Sequence, residues 1–235
     1  MNIALILSGG TGTRLGGDIP KQYIKVRDRM LIAFCLDMFI GHEMIDVVWI
    51  VAAQEWQQAI TDECKRLGID RDKIKGYSIP GDTRQLSILN GLKDIESYVK
   101  SLDKESGSDP VVIIHDAARP SLTAEFVNKC LEALGGHDGV MPVLPMKDTV
   151  YYSKSGTKVD KLLVRKCIYA GQAPEVYKLH KYLEANERLL PDEIFKINGS
   201  TEPAVLAGFD VVMIPGDENN YKVTTQKDLD RFLQD

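Results

Sequence analysis

The sequence predicts an α/β protein with one mostly parallel β-sheet flanked by helices. Short apolar runs of strand length alternate with longer stretches whose apolar residues recur at helical spacing. The runs at 47–51 and 111–115 are continuously apolar, as expected of strands that are covered on both faces. A glycine-rich turn follows the first apolar run, which is typical of a strand-to-helix connection. This order of elements predicts right-handed crossovers between parallel strands.

Each predicted element rests on its local pattern. Compact apolar runs predict strands at 2–8, 46–52, 73–79, 111–115, 139–144 and 209–214. Helical periodicity predicts helices at 30–40, 55–67, 84–99, 124–134, 175–186, 201–207 and 226–233. In the first of these helices, the apolar residues at 31, 32, 34, 35, 38 and 39 form one face.

The alternation of strands and helices is interrupted between Met146 and Ile168. Residues 147–152 and 159–165 have β character, and the turn between them contains Gly156. This pattern predicts a β-hairpin arm inserted at about 146–168. Because a two-stranded ribbon alone is marginal in water, we expect the arm to pack on the same ribbon of a second subunit.

Length and composition limit the classes of protein that are possible. The chain has 235 residues without an internal repeat or a low-complexity linker, so we expect a single domain over 1–235. A net charge of −5 argues against a nucleic-acid partner, and no apolar run approaches the ~20 residues of a membrane span. Four cysteines lie far apart in the sequence and no signal peptide precedes the first strand, which together favour the reducing cytoplasm.

The glycine-rich turn is the first candidate binding element. Gly9, Gly10 and Gly12 lack a Cβ, so their backbone can approach a ligand and direct N–H groups at phosphate oxygens. Arg14 and Lys21 would supply positive charge for a leaving pyrophosphate. A tight βα turn is the alternative interpretation. The P-loop spacing is absent, and Leu15 replaces the third glycine of a dinucleotide fingerprint.

Two further segments lie at the ends of predicted elements. The segment Gly81-Asp82-Thr83-Arg84-x-x-Ser87 opens a helix, where Asp82 or Thr83 could simply be the N-cap and Ser87 could meet a base edge. The segment His115-Asp116-Ala117-Ala118-Arg119-Pro120 ends a buried strand, at the edge where open α/β sheets bind ligands. A carboxylate there is a natural Mg²⁺ ligand, with helix capping as the alternative.

The arm and the end of the chain carry the last candidates. Lys147-Asp148-Thr149 and Arg165 lie on the hairpin, where polar groups are usually just solvated. Residues 219–224, which read Asn-Asn-Tyr-Lys-Val-Thr, follow the last strand. Only this position after the end of a strand suggests a role for Lys222 in a binding site.

Taken together, these segments resemble one enzyme family over essentially the whole chain. The motifs are Gly-Gly-x-Gly-x-Arg with a later Pro-Lys, Gly-Asp-x-Arg-x-x-Ser, His-Asp-Ala-Ala-Arg-Pro and a terminal Lys-Val-Thr. Their order is similar to that in the cytidylyltransferases of polyol phosphates, above all 2-C-methyl-D-erythritol 4-phosphate cytidylyltransferase and ribitol-5-phosphate cytidylyltransferase. The resemblance implies a Rossmann-like domain, CTP and a polyol phosphate as substrates, Mg²⁺ or another divalent cation as cofactor, and a homodimer formed through the arm.

The resemblance also implies roles for particular residues. The catalytic cations around the α-phosphate would be Arg14, Lys21 and Lys222. The nucleotide-binding residues would be Ser8, Gly9, Gly10, Gly12, Gly81, Asp82 and Ser87. The acceptor-binding residues would be Arg119, Thr149 and Arg165, and the metal ligands would be Asp116 and, more weakly, Asn219.

Three positions depart from the common pattern of the family. Asn219 stands where a second metal-binding aspartate is frequent, Asn198-Gly199-Ser200 replaces an expected Thr-Asp, and Ala173 replaces a threonine before Pro174. The acceptor therefore stays open between methylerythritol phosphate, which would feed isoprenoid precursor synthesis and is favoured, and ribitol phosphate. Two different classes of protein also stay open, a sugar-nucleotide pyrophosphorylase that uses UTP or GTP and a non-catalytic nucleotide-binding module.

Overall fold

The computed structural model describes residues 1–10, 19–102 and 109–234. Its strands are β1 (Asn2–Leu7), β2 (Lys25–Val26), β3 (Arg29–Met30), β4 (Val47–Val51), β5 (Ile74–Ser78), β6 (Val111–Asp116), β7 (Gly139–Pro145), β8 (Tyr151–Tyr152), β9 (Lys161–Leu162), β10 (Tyr169–Gly171), β11 (Glu175–Lys178) and β12 (Val211–Pro215). Its helices are α1 (Leu31–Gly41), α2 (Gln54–Leu67), α3 (Arg84–Ser101), α4 (Ala124–Ala133), α5 (Leu179–Glu187), α6 (Glu202–Leu206) and α7 (Gln226–Gln234). Within these described ranges, no helix is long and apolar enough to cross a membrane.

The central sheet has eight strands in the order β10-β7-β11-β6-β1-β4-β5, with β12 paired to β7. The pairs β1–β4, β1–β6, β4–β5 and β7–β12 are parallel, whereas β10 and β11 run antiparallel to their neighbours. The mostly parallel sheet flanked by helices is therefore confirmed. Leu7 of β1 is paired in register with Val51 of β4 and with Asp116 of β6, so these three strands end together at one edge of the sheet.

Alternate residues of β1 belong to two cores on opposite faces of the sheet. Ala4 and Ile6 pack with residues of α1, α2 and α4, whereas Ile3 and Leu5 pack with residues of α3 and α5. Burial on both faces explains why this strand reads as a continuous apolar run.

One predicted element is wrong at its start. Residues 175–178, predicted as the beginning of a helix, form β11 between β6 and β7, and the helix begins only at Leu179. Val176 and Tyr177 belong to the two opposite cores, so their side chains alternate across the sheet as a strand requires. The preceding strand β10, antiparallel to β7, was not predicted.

The predicted arm at about 146–168 contains one pair of antiparallel strands, β8 and β9, which are shorter than the sequence pattern predicts. Tyr151 pairs with Leu162 and Tyr152 pairs with Lys161, and the remainder of the predicted hairpin strands is irregular. Several large apolar side chains in and next to this region are exposed: Tyr151, Tyr152, Val159, Leu162, Val164 and Tyr169.

Gly91 of α3 sets how closely this helix approaches the sheet. A Cβ built on Gly91 would lie 2.6 Å from a methyl carbon of the fully buried Leu5. We expect Gly91→Ala to destabilise the protein by about 1–3 kcal/mol through overpacking, although alanine is the better helix former by about 1 kcal/mol. Urea unfolding checks this result. The matched control is Gly41→Ala at the end of α1, where the added Cβ meets nothing within 4 Å; equal effects of the two substitutions would contradict the packing argument.

Candidate active site

A cavity of about 630 Å³ opens at the edge where β1, β4 and β6 end. Its lining combines backbone from two glycine turns with charged side chains from separate parts of the chain. The lining residues are Leu7, Gly9, Gly10, Lys21, Gln22, Gly81, Asp82, Thr83, Arg84, Ser87, Asp116, Ala118, Lys222 and Thr224.

The turn after β1 is held by buried hydrogen bonds. The Ser8 hydroxyl donates to the Tyr23 hydroxyl at 2.9 Å, and the Gln22 amide donates to the carbonyl oxygens of Ser8 and Gly10 at 2.7 Å each. A Cβ on Gly9 would lie 2.3 Å from the Cβ of Pro80, so only glycine fits there. These contacts fix the first glycine turn against the segment that leads to α3. Gly12 and Arg14, predicted as parts of the same loop, lie outside the described residues.

The second turn is organised by the N-terminus of α3. The N-cap of this helix is Thr83, whose hydroxyl accepts a hydrogen bond from the N–H of Leu86 at 3.1 Å. The hydroxyl of Ser87 accepts from the N–H of Gly81 at 3.1 Å. Asp82 therefore does not cap the helix and instead lines the cavity, where it stays a candidate for binding the nucleotide.

Asp116 is the electrostatic centre of the cavity. Its carboxylate lies 2.9 Å from the Lys222 ammonium, 3.2 Å from the Arg84 guanidinium and 3.7 Å from Arg119 Nε. Burial alone would raise the pKa of Asp116, but these cations outweigh burial and hold the pKa well below its ordinary value. The carboxylate is therefore ionised at neutral pH and well into the acid range.

Arg84 is a site residue that sequence reasoning missed. The signal was present, since Arg84 belongs to the Gly-Asp-x-Arg-x-x-Ser segment. Only the contact with Asp116, 32 positions away, reveals its role as a partner of the carboxylate.

Lys21 and Lys222 reach the same cavity from opposite ends of the chain. The Lys21 ammonium donates to the carbonyl oxygen of Val223 at 2.8 Å, next to Lys222 in sequence. The structure thus brings these two predicted lysines to one cavity, which they share with Asp116.

Arg119 is held by contacts on both its side chain and its backbone. Its guanidinium donates to the carbonyl oxygen of Asn220 at 2.7 Å. Its own carbonyl oxygen accepts from Nε2 of His115 at 3.0 Å, and burial lowers the pKa of His115 to about 4, so this imidazole is neutral. Arg119 therefore sits beside Asp116 with little freedom to move.

The structure does not bring the predicted arm residues to this cavity. Thr149 and Arg165 are exposed, and the Arg165 guanidinium donates to the carbonyl oxygen of Lys147 at 2.8 Å. Neither residue lines the cavity of its own chain as far as the structure describes it.

The cavity residues fit a metal ion that is bound partly by the protein and partly by a substrate. The described residues contain no group of three or more His, Cys, Asp or Glu that could hold a metal ion by themselves. Mg²⁺ commonly takes one or two carboxylates together with substrate phosphates and water, and Asp116 offers one hard oxygen donor at the cavity. Asn219 is exposed, and its N–H donates to Asp217 at 2.8 Å, so the structure places it on a turn without testing it as a ligand.

Glycine turns beside a cluster of cations and one carboxylate, at the carboxyl edge of a parallel sheet, are the features expected of a nucleotidyltransferase. The fold and site agree with a match of residues 2–232 to the family model "2-C-methyl-D-erythritol 4-phosphate cytidylyltransferase". The chain belongs to this family and is a cytidylyltransferase.

Similar proteins cover nearly the whole chain. It is 30% identical to the 2-C-methyl-D-erythritol 4-phosphate cytidylyltransferase of Thermotoga neapolitana, over 98% of this chain and 94% of that protein. It is 31% identical to the bifunctional enzyme IspD/IspF of Maricaulis maris over 97% of this chain, which spans only 55% of that longer relative. The structure of 4-diphosphocytidyl-2C-methyl-D-erythritol synthase from Anaerococcus prevotii has a TM-score of 0.80 at 26% identity, covering 100% of this chain and 96% of that one.

Proposed function

We propose that this chain transfers the cytidylyl group of CTP to 2-C-methyl-D-erythritol 4-phosphate. The products are 4-diphosphocytidyl-2-C-methyl-D-erythritol and pyrophosphate, and the reaction belongs to isoprenoid precursor synthesis. The cluster of Arg84, Arg119 and Lys222 around Asp116 carries this proposal, because it gathers positive charge beside the two glycine turns. The family match supplies the substrates.

In the proposed reaction, an oxygen of the acceptor phosphate attacks the α-phosphorus of CTP, and the bond to the pyrophosphate oxygen breaks. The protein contributes mainly position and charge, as in other phosphoryl-group transfers. Lys21 and Lys222 would offset the negative charge that develops at the α-phosphate, together with Arg14. When bound, Mg²⁺ would neutralise further phosphate charge, with Asp116 as its protein ligand and Asn219 as a weaker candidate.

The two turns would divide the recognition of the nucleotide. The backbone of Ser8, Gly9 and Gly10, with Gly12, would hold the phosphates and part of the base. Gly81, Asp82 and Ser87 would read the cytosine edge from the N-terminus of α3. Two observations support this assignment: Gly9, Gly10, Gly81, Asp82 and Ser87 line one cavity, and Ser87 is hydrogen-bonded to Gly81.

We propose that the acceptor side is completed by a second subunit. The exposed apolar side chains of the arm, such as Leu162 at 58% exposure and Val164 at 60%, are suited to a homodimer contact. Arg165 and Thr149 would then bind the acceptor phosphate and polyol in the partner's cavity, alongside Arg119. The chain would act as one nucleotidyltransferase domain, with the arm at about 146–168 as its dimerisation element.

Replacement of Arg165 tests the arm assignment. We expect Arg165→Ala to raise the KM for the polyol phosphate by about 10-fold or more, because a charge-assisted hydrogen bond to phosphate is lost. CTP affinity, measured by isothermal titration, should stay unchanged. The matched control is Lys154→Ala at the exposed turn of the same hairpin. A weakened CTP affinity with an unchanged acceptor KM would contradict the assignment.

The reaction itself is tested by a substrate panel with pyrophosphate release as the readout. We expect turnover with CTP, Mg²⁺ and 2-C-methyl-D-erythritol 4-phosphate, and none with UTP, GTP or ATP. Preference for D-ribitol 5-phosphate would make ribitol phosphate the acceptor instead. CTP binding without turnover on any polyol phosphate would indicate a non-catalytic module.

We also propose the cytoplasm as the location of this chain. Cys35, Cys64, Cys130 and Cys167 are all free thiols, and the first three are buried. Thiols that stay unpaired are typical of a reducing compartment, which supports this proposal.

A further inference from the structure

Lys222 lies on a stretch of chain that has no regular structure of its own. Residues 221–224 belong to neither a strand nor a helix. The Lys222 ammonium nevertheless reaches Asp116 at 2.9 Å. Its side chain is long and has many rotamers, so the position of its charge depends on how firmly the backbone beneath it is held.

The first restraints on this stretch come from the site itself. The N–H of Val223 donates to the carbonyl oxygen of Ala118 at 2.8 Å, and the carbonyl oxygen of Val223 accepts from Lys21. The Val223 side chain is fully buried in a small core with Leu31 and Leu229. Leu229 belongs to α7, so this helix is part of the support.

The second restraint is Asp228, in the first turn of α7. Its Oδ2 accepts from the N–H and hydroxyl of Thr225 at 2.8 and 2.9 Å, while the N–H of Asp228 donates to the Thr225 hydroxyl at 3.2 Å. This reciprocal pair is a capping box, and capping the helix would require no more.

Asp228 holds one residue more than the cap requires. The same oxygen accepts from the N–H of Thr224 at 2.9 Å and from its hydroxyl at 2.8 Å. Thr224 lines the cavity, two residues after Lys222. Burial raises the pKa of Asp228, but these hydrogen bonds outweigh it and lower the pKa to about 2, so the acceptor stays fully charged at neutral pH.

We propose that Asp228 is a positioning residue for the reaction, which fixes the 222–225 backbone so that Lys222 points at the bound nucleotide. This inference rests on the proposed function, because it assigns Lys222 to the reacting phosphate. Asp228 does not itself line the cavity in the described part of the chain, and it acts through Thr224, which does.

The test compares Asp228→Ala with two further variants. We expect Asp228→Ala to lower kcat by about 10- to 100-fold, since small displacements of a catalytic group are costly. Asp228→Asn keeps an acceptor oxygen and should recover part of this loss. The matched control is Asp230→Ala on the same helix, which removes an acceptor of the Gln226 side-chain amide and should keep wild-type kcat.

A double-mutant cycle separates positioning from capping. In a Lys222→Ala background, Asp228→Ala should cause no further loss of kcat, because its effect passes through the missing lysine. An independent loss of the same size in both backgrounds, or equal effects of Asp228→Ala and Asp230→Ala, would overturn the proposal. Near-wild-type turnover of Lys222→Ala alone would instead overturn the role of Lys222 in the proposed function, and the positioning role with it.

Discussion

Lys222→Ala is expected to lower turnover of CTP by about 10²-fold or more, which corresponds to a barrier higher by roughly 3 kcal/mol. The reason is the loss of one fixed positive charge from the cluster at Asp116. The thermal midpoint should change little, because the Lys222 side chain is 35% exposed. Pyrophosphate release at saturating substrates measures the effect on kcat.

The control for this substitution is a second lysine, which lies outside the cavity. Lys196→Ala removes an exposed ammonium that pairs with Glu193 and should leave turnover unchanged. If Lys222→Ala works as fast as Lys196→Ala, Lys222 does not act on the α-phosphate.

Asp116→Asn should have an effect of similar size but with a distinguishing signature. We expect turnover to fall by about 10²-fold or more, because the amide carries no charge for a divalent cation. Binding of CTP in the absence of divalent cations should become tighter, since Arg84, Arg119 and Lys222 lose their shared counter-charge. Titration calorimetry with EDTA present measures this second effect.

Asp138→Asn is the matched control for Asp116→Asn. Asp138 is a partly buried carboxylate that also pairs with lysines, Lys178 and Lys181, but it precedes β7 and does not line the cavity as the structure describes it. The substitution should change neither turnover nor CTP affinity. Unchanged or weaker metal-free binding of CTP by Asp116→Asn would show that the cations freed from Asp116 do not bind the nucleotide phosphates.

Much of the sheet could be predicted because its strands are covered on both faces. The segments that form β1, β4 and β6 contain continuous apolar runs, and this composition indicates burial on both faces. Because the three strands end at the same edge, the glycine turn lies beside Asp116. The start of α3 was predictable because Thr83 is a capping residue at the boundary of a helical pattern.

Contacts between residues far apart in the sequence determine the features that local sequence patterns do not predict. Residues 175–178 read as helical, yet pairing with β6 and β7 made them a strand. The contact between Arg84 and Asp116 depends on two elements meeting across the sheet edge, so spacing alone could not assign it. In the arm, a pattern of β character extends well beyond the two paired residues of each strand, since local propensity does not determine where pairing stops.

The hydrogen bond from Lys21 to the carbonyl oxygen of Val223 joins positions 202 residues apart. Residue 223 is therefore synthesised long after β1 and the turn that leads to Lys21. A chain that ended before residue 222 would lack both the ammonium that pairs with Asp116 and the carbonyl oxygen that holds Lys21.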